Sequence, residues 1–208
     1  MTENKFNIKD TILAVDINEA TQAVKENRFK DAINLLKISL KDNPDHIDSL
    51  YLAGVCSRYL KNFADATKYI ESLLLHAPDM GRAYQELAHI NRDMGNEEKS
   101  ISNYRQACEL NPALISSWMS LYEYFKKNNN KPALQHAEEQ INKLKSLPNM
   151  LLYIDQVMNE GRLGVAELKC REFLKKNPTH TYAMSQLSEI ANRLGHFDDA
   201  ELLLEKAV

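Results

Sequence analysis

Residues 81–112 read GRAYQELAHINRDMGNEEKSISNYRQACELNP. Tyr84, Leu87, Ala88 and Asn91 fall at i, i+3, i+4 and i+7, the spacing that places side chains on one face of a helix. Gly95-Asn96 then supplies a turn, because glycine accepts a positive φ at little cost. A second apolar stripe follows in Ile101, Tyr104, Ala107 and Cys108. Asn111-Pro112 stops it, since a proline disfavours helix in the residue before it. The stretch therefore predicts two antiparallel helices closed by a proline.

The same pattern recurs on both sides. Pro44, Pro78 and Pro112 are each 34 residues apart, and Pro178 lies 66 beyond Pro112, close to two more periods. Twelve residues before each proline position runs a small residue: Ala32, Ala66, Ser100, Ala133, Ala166 and Ala200, in steps of 34, 34, 33, 33 and 34. A period of this length marks a repeat array in which each hairpin stacks on its neighbours. With proline at position 32, the units are 13–46, 47–80, 81–114, 115–146, 147–180 and 181–208, the last one partial. Residues 1–12 are left as a tail or a short capping helix. Unit four is the irregular one: Tyr122 stands where small residues recur, and Asn128-Asn129-Asn130 replaces the glycine turn. Its second helix is predicted to begin near Lys131, with Pro132 in the first turn.

The composition fits an all-α chain. Among 208 residues there are only 6 Gly and 6 Pro, and runs of alternating β-branched residues are lacking. A net charge of −3 gives no electrostatic case for nucleic acid or for an anionic membrane. No apolar run approaches the ~20 residues of a membrane helix, and the first residues lack a signal-peptide core. The chain reads as cytoplasmic. Cys56, Cys108 and Cys170 are odd in number, far apart and on predicted helices, so they are expected to be buried small hydrophobes.

Several positions repeat together, and they resemble the tetratricopeptide-repeat family. An aromatic stands at position 4 (Tyr84, Trp118) and Leu at 7 (Leu87, Leu121, Leu187). Gly stands at 15 (Gly95, Gly161, Gly195), Phe or Leu at 17 (Phe29, Phe63, Leu163, Phe197), Ala at 20 and Pro at 32. The resemblance covers essentially all of 13–208. It implies an α-α superhelix of about six helix-turn-helix repeats that binds a protein or peptide in a concave groove lined by each first helix.

That resemblance assigns positions 2, 5, 6, 9, 12 and 13 of a unit to the groove. Tyr51, Arg58, Tyr59, Gln85, His89, Arg92, Met119, Glu123, Lys127 and Arg193 are thereby the candidate binding residues. Arg58, Arg92 and Lys127 fall at similar places in successive units and suggest a basic ladder suited to an acidic or carboxylate-bearing peptide. The clamp by which some family members hold a chaperone's C-terminal carboxylate is not matched, because Tyr51, Val55, Glu86, Ser116 and Ser120 occupy its places.

Nothing local proposes catalysis. The chain has no phosphate-binding Gly-x-x-x-x-Gly-Lys, no His-Glu-x-x-His, and no two of its six histidines at i, i+4. No cofactor, metal or catalytic residue is expected. Residues 168–180, with 193–195 and 198–207, resemble bacterial proteins that join such repeats to a C-terminal sulfotransferase domain. That second resemblance implies a non-catalytic repeat region, with a domain using 3′-phosphoadenylyl sulfate beyond residue 208. The sequence also suggests that Leu202, Leu203 and Leu204 leave an apolar end face, hence self-association through units five and six.

Overall fold

The computed structural model describes the backbone of residues 8–198 and the side chains of 17–198. Eleven helices and no strand occur among them. They are α1 (Ile8–Lys25), α2 (Phe29–Asp42), α3 (Ile47–Tyr59), α4 (Phe63–His76), α5 (Gly81–Asp93), α6 (Glu97–Leu110), α7 (Ile115–Lys127), α8 (Lys131–Lys145), α9 (Asn149–Asn159), α10 (Leu163–Lys176) and α11 (Thr181–Arg193). The fold is an α-α solenoid of helical hairpins. α1 begins at Ile8, five residues before the expected start of the first unit. Leu202–Leu204 and the end face predicted from them lie outside the described residues.

One device closes every hairpin. Asn27, Lys61, Gly95, Asn129, Gly161 and Gly195 have φ between 52° and 82°, each at position 15 of its unit. The next residue's N–H then bonds five residues back: Arg28 to Ala23, Asn62 to Ser57, Asn96 to Asn91, Asn130 to Phe125, Arg162 to Val157 and His196 to Ala191, at 2.8–3.0 Å. This 6→1 closure satisfies a carbonyl that the helix end would leave unpaired. Glycine fills the position in three hairpins only. The turn is thus a property of the repeat, which tolerates Asn and even Lys there.

Helix starts are capped by polar side chains where the sequence offers them. Asn62 and Asn130 accept from the N–H of Asp65 and Ala133. His46 and His180, at the last position of their units, do the same for Ser49 and Ala183 through Nδ1, at 3.2 and 3.3 Å. Pro132 sits in the first turn of α8, where its missing N–H costs nothing.

The chain divides into two compact units, Met1–Asn103 and Tyr104–Val208, with the boundary inside α6. In the N-terminal unit one core cluster joins Ala20, Ala23, Ala32, Leu36, Ala53 and Cys56, and a second joins Leu50, Ala66, Ile70, Leu73, Ala83 and Ile90. In the C-terminal unit Leu151, Ile154, Ala166, Cys170, Leu187 and Ile190 form a third. Fully burying each of the larger aliphatics contributes about 1.5–3 kcal/mol. The small residues are required where helices cross. A Cβ on Gly54 would lie 2.6 Å from Ile70 Cγ1, and Ser100 Oγ donates to Ala88 O at 2.9 Å. All three cysteines are buried and free, and burial pushes the thiols of Cys56 and Cys108 up to about 12 and that of Cys170 to about 11.

Candidate peptide-binding face

In the N-terminal unit the candidate face is built from α3 and α5. The small positions of these helices point into the core: Ala53, Ala83 and Ala88 are fully buried. The alternate face carries the candidates. Arg58, at the end of α3, crosses to α5, where its Nε lies 2.6 Å from Glu86 Oε1 and its Nη1 3.2 Å from Asp93 Oδ2. The pair is nearly dry, with the side chains of Arg58 and Glu86 only 11% and 4% exposed. Burial works against the charge on Arg58, but Glu86 and the hydrogen bonds outweigh it and hold the guanidinium above its usual range. Burial raises the Glu86 carboxyl, and Arg58 pulls it back.

Aromatic rings continue the face. The Arg58 guanidinium sits 4.5 Å over Tyr59, which stacks on Phe29 with ring centroids 4.4 Å apart and planes within 1°. Arg82 covers Tyr51 at 4.7 Å. Tyr59 remains 54% exposed. Gln85 and His89 are half-buried on α5. Burial, with help from Arg92 and Arg58, lowers the His89 imidazole to about 4, so it is neutral at pH 7. Arg92 is exposed and lies 3.3 Å from Asp93.

On this face Arg58 and Arg92 meet Glu86 and Asp93, while Arg82 lies over Tyr51. Arg58 acts first as a tie between two successive first helices. Arg92 is exposed to solvent. The sequence places Arg58 and Glu86 on one surface, but their pairing across 28 residues has no local signal.

In the C-terminal unit Met119 is 47% exposed on α7, and Glu123 and Lys127 are exposed on the same helix. α9 and α11 are joined by a buried polar cluster. Tyr182 donates to Asp155 Oδ2 at 2.7 Å, and Gln186 Nε2 donates to Asp155 Oδ1 and to Leu151 O. Burial and the neighbouring Asp155 push the Tyr182 phenol upward. Arg193 pairs with Glu189 at 2.7 Å and reaches Met158 O at 3.4 Å. One tie escapes sequence reasoning altogether. Asn111, read as a helix stop, is fully buried and donates to Gln156 O at 3.1 Å, while Gln156 donates back to Ala113 O at 3.1 Å. A carboxamide just before a proline looks like punctuation in sequence, and its local bond from Ala113 N–H at 3.1 Å fits that role, but the arrival of α9 adds a partner from another repeat.

Among the described residues no group of three or more His, Cys, Asp or Glu side chains is placed to hold a metal ion. No helix among them is long and apolar enough to cross a membrane.

A repeating helical hairpin with small residues at its crossings and polar residues on its first helices defines a class of helical-repeat protein. Residues 23–90 and 81–114 match models of the tetratricopeptide repeat family. Solved structures share the fold. A thermophilic TPR protein of Thermus thermophilus is 17% identical over 86% of this chain and 98% of its own, with a TM-score of 0.55. A MamA protein is 15% identical over 94% and 90%, with a TM-score of 0.54. A MamA segment, 41 to the end, from Desulfovibrio magneticus RS-1 is 21% identical over 65% and 75%, with a TM-score of 0.53. At these identities the likeness is one of fold. No curated protein matches the chain in sequence.

Proposed function

We propose that the chain is a protein-interaction module, and that a partner lays an extended peptide segment along the first-helix face carrying Tyr51, Tyr59, Gln85, His89 and Arg92. The observation that supports this reading is the division of labour on α3 and α5. Their small and aliphatic positions make the core, and the buried Arg58–Glu86 tie fixes the distance between them. Tyr59 and Arg92 are left exposed on the remaining face. A rigid platform with an exposed ring and an exposed guanidinium suits a peptide bearing a carboxylate beside an apolar side chain. Met119, Glu123 and Lys127 on α7, and Arg193 on α11, extend the same reading to the C-terminal unit.

Peptides selected from a displayed library against the full chain provide the test. Their affinity for Tyr59→Ala and Arg92→Ala should fall at least about fivefold, as loss of a charge-assisted bond or an aromatic contact predicts. Affinities equal to that of the parent chain in both variants would sink the reading. Lys127→Ala and Met119→Ala report in the same way on the C-terminal unit.

A second reading rests on residues 168–180, 193–195 and 198–207. It holds that the repeats belong to a longer sulfotransferase and position its acceptor. Sequencing the gene past codon 208 tests it: a downstream strand–loop–helix phosphate site supports the reading, and a stop codon at once removes it.

A further inference from the structure

The face opposite the proposed groove also carries a site. A cleft of ≈ 390 Å³ opens between α4, α5 and α6. Each helix presents one stripe to it: Thr67 and Glu71 at i, i+4 on α4, Leu87 and Asn91 at i, i+4 on α5, and Lys99 and Asn103 at i, i+4 on α6. Leu87, Asn91 and the following Met94 occupy positions 7, 11 and 14 of their unit, away from those that carry Gln85, His89 and Arg92. The volume is that of a small binding site.

Asn91 is already engaged, donating to Leu87 O at 2.9 Å and accepting from Asn96 at 3.4 Å, so it forms a fixed wall. The side chains of Thr67, Glu71, Lys99 and Asn103 make no hydrogen bond or ion pair with the described residues. Asn103 is half-buried, and its carboxamide offers two donors and an acceptor. That is the complement of a peptide unit. Leu87 and the half-exposed Met94 give an apolar floor. Glu71 brings a negative charge from α4, and Lys99 a positive one from α6. No aromatic ring lines the cleft for a nucleobase to stack on, and a single lysine is a poor phosphate trap.

We propose that this cleft binds an extended peptide segment in which an apolar residue is flanked by one basic and one acidic residue. The apolar side chain rests on Leu87 and Met94. A main-chain amide pairs with Asn103. The basic side chain meets Glu71, and the acidic one meets Lys99. The site is independent of the first-helix face, so either can fail without the other.

The probe is acetyl-Lys-Leu-Glu-amide, titrated into the ¹⁵N-labelled full chain and followed by NMR. Saturable shifts should appear at Thr67, Asn91, Lys99 and Asn103. Asn103→Ala should weaken binding about tenfold, the worth of a buried hydrogen-bonded contact. Lys99→Glu, a surface change that leaves the helix intact by circular dichroism, should weaken this probe and strengthen acetyl-Lys-Leu-Lys-amide. Arg92→Ala should leave the saturation of the shifts at Lys99 and Asn103 unchanged. The proposal is overturned by the absence of saturable shifts, by shifts confined to Gln85, His89 and Arg92, or by affinities that neither Asn103→Ala nor Lys99→Glu alters.

Discussion

Lys61 holds a φ of 60° at the turn between α3 and α4, the place that glycine takes between α5 and α6. A left-handed residue with a Cβ costs roughly 1–2 kcal/mol. Glycine avoids that cost but gives back roughly 0.5–1 kcal/mol through the greater freedom of its unfolded chain. Lys61 is exposed, and its backbone N–H keeps its bond to Arg58 O whatever the side chain. Lys61→Gly should therefore stabilise the protein by about 0.5–1 kcal/mol, read as a higher urea midpoint with an unchanged slope. Lys61→Ala retains the strain and should show no comparable gain. An equal rise in both variants would mean that the lysine side chain, rather than its backbone conformation, is what costs stability.

Between elements, the decisive contact in the N-terminal unit is the Arg58–Glu86 pair that ties α3 to α5. Both side chains are nearly buried, so the cost of removing one partner is set by the charge left behind. Arg58→Met leaves Glu86 without its cation in a dry site and should cost about 3–5 kcal/mol. Arg58→Met combined with Glu86→Leu removes both charges and should recover most of that loss. A double-mutant cycle in chemical unfolding measures the coupling, and additive losses would show that the two residues act separately. The contrast with the helices themselves is instructive. Their ends are legible in the sequence, because Pro132, Asn62 and Gly95 act on residues within one turn. The period places Ala66, Ser100 and Gly54 at the crossings for the same local reason, that only a small side chain fits there. Arg58 and Glu86 lie in different repeats, and nothing in either repeat alone says that the arginine turns inward to pair instead of outward to a ligand. The ladder of Arg58, Arg92 and Lys127 rests on positions alone. Position fixes which face a residue occupies, but the neighbouring repeat's charges fix whether it is available there.

At the scale of the whole molecule, a repeat array gains stability from nearest neighbours, so its parts need not open together. The three core clusters illustrate this, each drawing on two or three adjacent hairpins. The buried cysteines can report on them separately. Cys56 belongs to a cluster of the N-terminal unit and Cys170 to that of the C-terminal unit, and both thiols are held well above neutral pKa by burial. Neither should react with a thiol reagent at pH 7 until its own cluster opens, because the thiolate is the reactive form. Gly54 supplies the local perturbation. Alanine there gains about 1 kcal/mol of helix propensity, but its Cβ drives into the side chain of the fully buried Ile70. The overpacking of about 1–3 kcal/mol should win. In Gly54→Ala, labelling of Cys56, followed by mass spectrometry in mild denaturant, should accelerate at least about fivefold, while Cys170 keeps the rate of the parent chain. Equal acceleration at both cysteines would mean that the two units open as one cooperative body, and a slower rate at Cys56 would mean that the helix propensity of alanine outweighs the clash with Ile70.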